Sequence, residues 1–69
     1  MVSYNYFDYD GTPCRIAADQ GDHGAAEMYV QGEGFIPAPK MSILNDGVAL
    51  TKAEFDGMIL AIVRRGKAS

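Results

Sequence analysis

The sequence predicts an α+β fold: a small antiparallel sheet of three or four strands with one C-terminal helix, about residues 51–65, packed on one face. Three observations predict it. Residues 51–66, TKAEFDGMILAIVRRG, carry a complete helix signature. The first half of the chain alternates short aromatic and apolar runs with turns rich in Gly, Pro and Asp. The strands come first and the helix last, an order that segregates helices to one side of a sheet.

The helix rests on several independent signals. Thr51 can be the N-cap, and Glu54 three residues later completes a capping box. Leu50, just before the cap, can pack on Phe55 as a hydrophobic staple. Glu54 and Asp56 fall in the first turns, Arg64 and Arg65 in the last, and both placements suit the helix dipole. Gly66 can supply the left-handed residue that closes the helix. Phe55, Met58, Ile59, Ile62 and Val63 recur at the spacing of one helical face. Leu60 lies off that stripe, ~140° from Phe55, with Gly57 and Ala61 close to it. A mid-helix glycine costs roughly 1 kcal/mol relative to alanine. Either Leu60 only widens the core stripe, or it forms a second apolar surface that the small Gly57 and Ala61 open to a neighbouring helix.

The strands are read from aromatic and β-branched runs bounded by turns. Residues 4–9, YNYFDY, form a strand that ends at Asp10-Gly11, a hairpin turn. The chain returns over residues 14–18, with Pro13 at the strand's start, where a missing N–H is tolerated. Residues 19–24, DQGDHG, read as a polar loop. Residues 25–31 alternate as a strand, or form a helix capped by Asp22; the strand is preferred because the turn at residues 32–34 leads into Phe35-Ile36 as a short return strand. Pro37-Ala38-Pro39 is an extended connector. Asn45-Asp46-Gly47 closes the apolar run at residues 41–44 and marks a small hairpin or bend before the helix.

Composition narrows the function classes. Sixty-nine residues make one domain, and a chain this short buries only ~60% of the surface that its unfolded form exposes. The hydrophobic share is 48%, which places the chain among globular rather than disordered sequences. The single cysteine, Cys14, excludes an internal disulfide, and one histidine with one cysteine makes a closed zinc site improbable. A chain without staples gains from finishing its core at an interface. The net charge of −3 argues against nucleic-acid binding, which uses a basic patch. No apolar run approaches a membrane span, no signal peptide is visible, and a lone thiol suits a reducing, cytoplasmic setting.

Two motifs suggest chemistry. Asp8-Tyr9-Asp10-Gly11-Thr12, preceded by Phe7, resembles the first motif of the haloacid dehalogenase-like phosphatases. There the first aspartate attacks phosphorus, the second is general acid/base, and magnesium neutralises the phosphate. The resemblance would give those roles to Asp8 and Asp10. It covers a handful of residues, Pro13 replaces the family's aliphatic residue, and the chain is too short for that family's doubly wound sheet. An Asp-Gly hairpin turn accounts for the same residues. The second motif, Asp19, Asp22, His23 and Glu27, offers possible ligands to a divalent ion but lacks the alternating oxygens of a calcium loop; a solvated loop is the simpler reading.

The sequence therefore points to a non-enzymatic protein-interaction module, acting as a homodimer or on a larger protein partner, with no catalytic, cofactor or metal residues. The interaction residues expected are Tyr4 and Tyr6, which share one strand face, and Gly57, Leu60 and Ala61 on the helix. The alternative is an acidic inhibitor or nucleic-acid mimic occupying a basic groove, using Asp8, Asp10, Asp19, Asp22, Glu27 and Glu33.

Overall fold

The computed structural model describes residues 3–18 and 25–68. Among these, five strands and two helices follow in the order β1 (Tyr4–Tyr9), β2 (Thr12–Ala17), β3 (Ala26–Val30), β4 (Gly34–Pro37), α1 (Lys40–Asp46), β5 (Val48–Leu50) and α2 (Lys52–Ala68). The strands form one antiparallel sheet, order β4-β3-β2-β1-β5. The first four make a meander. The chain then crosses the sheet, and β5 pairs with the open side of β1, Val48 opposite Asp8 and Leu50 opposite Tyr6.

The antiparallel sheet and its C-terminal helix are those expected from sequence, and residues 26–30 are strand rather than helix. Two elements are additional. The segment expected to be a small hairpin or bend forms α1 instead, and residues 48–50 add a fifth strand at the sheet edge. Helices therefore cover both faces of the sheet, not one. Strand alternation divides the residues between the faces. Cys14, Ile16 and Ala26 point to one side and enclose Ile43 of α1, with Phe7, Tyr9, Met28 and Ala38 packed around them. Tyr4, Tyr6, Arg15, Glu27, Tyr29 and Phe35 point to the other side, where Phe55 of α2 meets Tyr6 and Phe35.

The β1–β2 hairpin follows from its turn. Asp10 and Gly11 both have positive φ, 52° and 84°, the pair that matches a two-residue turn to the strand twist. Asp8 closes it by accepting a hydrogen bond from the Gly11 N–H at 2.9 Å.

The capping box of α2 is complete. The Glu54 N–H donates to Thr51 Oγ1 at 3.2 Å, and the Thr51 N–H donates to Glu54 Oε1 at 2.9 Å. Thr51→Ala is expected to cost about 1 kcal/mol, read from the urea midpoint; an unchanged midpoint would contradict the cap. The hydrogen bonds from Thr51 hold the Glu54 carboxyl below its usual pKa. A depressed carboxylate stabilises the fold above its unfolded pKa and loses that contribution as pH falls through its folded one. The cap is thus intact at neutral pH and fails in acid below the ordinary carboxylate range.

At its other end α2 passes the expected stop at residue 65 and continues to Ala68. Gly66 is helical rather than left-handed. The flexible end of the Gln31 side chain, from the β3–β4 turn, lies against it where a Cβ would stand. No helix among the described residues is long and apolar enough to cross a membrane.

Candidate functional site: the outer face of the C-terminal helix

The inward side of α2 rests on an aromatic layer. The Phe55 ring lies 4.5 Å from that of Tyr6 and 6.1 Å from that of Phe35, while Tyr4 and Tyr6 are 6.3 Å apart. Phe35 also meets Tyr29 edge-on at 5.4 Å. The Arg15 guanidinium sits 3.7 Å from the Phe35 ring centre and 4.5 Å from that of Tyr4, as cations sit over the negative face of a ring. Its Nε donates to Glu27 Oε1 at 3.0 Å. Tyr4 and Tyr6 are therefore half-buried members of the layer beneath α2. Arg15, which organises that layer, had no visible signal in the sequence, because its role depends on three partners from three different strands.

Of the inward stripe only Phe55 is fully buried; Met58, Ile59, Ile62 and Val63 are half-buried. The outward side of α2 is open. Leu60 is 49% exposed, and Gly57 and Ala61 beside it are exposed too. Ala53, Asp56 and Arg64, also exposed, lie within about 40° of Leu60 around the helix at ~100° per residue. A Cβ added at Gly57 would meet nothing within 4 Å, so no packing among the described residues requires a glycine there. Lys52 Nζ donates to Asp56 Oδ2 at 2.9 Å, four residues apart and in solvent, and this hydrogen bond holds the Lys52 ammonium above its usual pKa. The structure thus gathers Gly57, Leu60 and Ala61 on one open strip and puts Tyr4 and Tyr6 on the far side of the helix from it.

The other motifs resolve into local roles. Asp8 and Asp10 build the hairpin turn described above. Glu27 is paired with Arg15, and Glu33 lies in the β3–β4 turn. Asp19, Asp22 and His23 lie outside the described residues. Among the described residues no three His, Cys, Asp or Glu side chains come together as metal ligands, and no cavity is present. Cys14 is fully buried; burial first, and then the charge of Asp8, push its thiol pKa up, only partly offset by a backbone hydrogen bond. A buried thiol in its neutral form is a poor nucleophile. Two further apolar side chains, Met41 and Leu44, are exposed on α1, as is Val48 on β5.

No known family model, curated protein or solved structure matches the chain.

Proposed function

We propose that this chain is a small interaction module without chemistry of its own, and that it works as a homodimer joined through the outer face of α2. The observation that carries this reading is the pairing of Leu60 with Gly57. A large apolar side chain stands in solvent on the one well-capped helix, next to a mid-helix glycine that costs roughly 1 kcal/mol relative to alanine and that packing among the described residues does not need. A glycine on an open helix face suits the close approach of another backbone.

The thin core supports the same reading. Among the described residues the buried hydrophobic side chains are only Cys14, Ile16, Ala17, Ala26, Ile43 and Phe55. A two-fold interface uses one patch on both copies, so a single apolar strip suffices.

Sedimentation equilibrium tests it. The wild-type chain is expected to dimerise in the range of about 1 to 300 μM, as suits a small interface. Leu60→Glu is expected to leave a folded monomer, because it places a charge in a desolvated contact. A wild-type chain that stays monomeric over that range would refute the reading.

A further inference from the structure

The strip around Leu60 carries a charge pattern with an internal symmetry. Asp56 lies four residues before Leu60 and Arg64 four residues after it, both exposed. At ~1.5 Å rise per residue each stands ~6 Å from the level of Leu60 along the helix axis. We infer that a second copy docks antiparallel on this strip, about a two-fold axis at the level of Leu60, so that Asp56 of each copy meets Arg64 of the other. This rests on the homodimer reading above and adds the orientation and the pairing.

Two helices related by such an axis bring residue 60 + k opposite residue 60 − k. The carboxylate at 56 then faces the guanidinium at 64 on both sides of the axis, and the two Leu60 side chains meet at the centre. A parallel pair in the same contact would set carboxylate against carboxylate and guanidinium against guanidinium. Like charges in contact are strongly unfavourable. Antiparallel helix dipoles favour the same choice. Gly57 and Ala61 present little bulk, which suits the short end of the 8–10 Å range of helix separations. Both partners are available for the contact. Among the described residues Arg64 has no ion pair. Asp56 engages Lys52 through Oδ2 alone, in a pair whose side chains are 70% and 57% exposed, and such surface pairs exchange at little cost.

Charge reversal tests the pairing. Asp56→Arg and Arg64→Asp each replace two interchain attractions with two repulsions, and each should weaken self-association roughly ten-fold or more by sedimentation equilibrium. The double variant, Asp56→Arg with Arg64→Asp, should associate as the wild type does, and so should an equimolar mixture of the two single variants. Lys52→Ala, which removes only the intrachain pair, should leave association unchanged. Thermal melts by circular dichroism confirm that each variant is folded; if one reversal fails to fold, Arg64→Ala replaces it, with a smaller loss expected. A wild-type dimer that both single reversals leave intact would overturn this docking while the homodimer reading stands. Weakening by both singles without recovery in the double variant would also overturn it. A wild-type monomer would refute both.

Discussion

Phe55→Ala is expected to lower stability by about 3–5 kcal/mol, the largest loss of any single truncation in the chain. Phe55 is the one residue of the inward stripe of α2 that is fully buried, at 3% exposure. Its ring joins Tyr6 on β1 to Phe35 on β4. Removing it opens a gap between helix and sheet and also forfeits aromatic pairing of about 0.5–1.5 kcal/mol per ring contact. A chain of this size has roughly 3–10 kcal/mol in total, so the variant is expected to be substantially unfolded at 25 °C. Urea unfolding followed by circular dichroism reads the change. A midpoint equal to that of the wild type would mean that α2 does not dock through Phe55.

Ile43→Ala should follow closely, at about 2–5 kcal/mol. Ile43 is the one buried residue of α1 and is completely covered. Nothing else in α1 compensates for its loss. The helix is seven residues long, starts at Pro39 without a side-chain cap, and has no acidic residue in its first turn and no basic residue in its last. A helix that short does not persist without tertiary packing. Truncating Ile43 is therefore expected to release α1 and uncover Cys14, its neighbour in the core. Two readouts should move together: the urea midpoint falls, and a thiol reagent modifies Cys14 faster under native conditions. An unchanged midpoint with an unreactive Cys14 would contradict the role assigned to α1.

These two residues also show what the sequence could and could not reveal. The start and inward face of α2 are local and could be read directly: the Thr51–Glu54 box and the stripe led by Phe55 follow from spacing along one helix, whereas spacing left Leu60 open between a wider core stripe and a second surface. The same holds for Asp10-Gly11, whose turn geometry belongs to two residues. The end of α2 could not be read, because Gly66, a residue type that usually closes a helix, is here inside one that runs on to Ala68. Nor could α1, whose Asn45-Asp46-Gly47 carries a strong turn signal and whose short length offers no periodicity beyond Ile43. Residues 48–50 form a strand only because β1 leaves a side open to pair with them. Alternation put Tyr4 and Tyr6 on a common face, but strand sequence does not say which face receives the helix. That depends on how Phe55 of α2 bridges Tyr6 on β1 and Phe35 on β4, strands that are not neighbours in the sheet. The strip on α2 was visible as far as Gly57, Leu60 and Ala61. Its charged flanks, Asp56 and Arg64, read more simply as complements to the helix dipole until the open face around Leu60 placed them side by side.

The most direct test of a homodimer joined through the outer face of α2 is an isotope-filtered NOE experiment on a mixture of labelled and unlabelled wild-type chains, which registers only contacts between copies. Intermolecular cross-peaks are expected from the Leu60 methyl groups to Leu60, Gly57 and Ala61 of the second copy. Intermolecular cross-peaks confined to Met41 and Leu44 of α1, or none at concentrations where the dimer should be populated, would contradict that dimer.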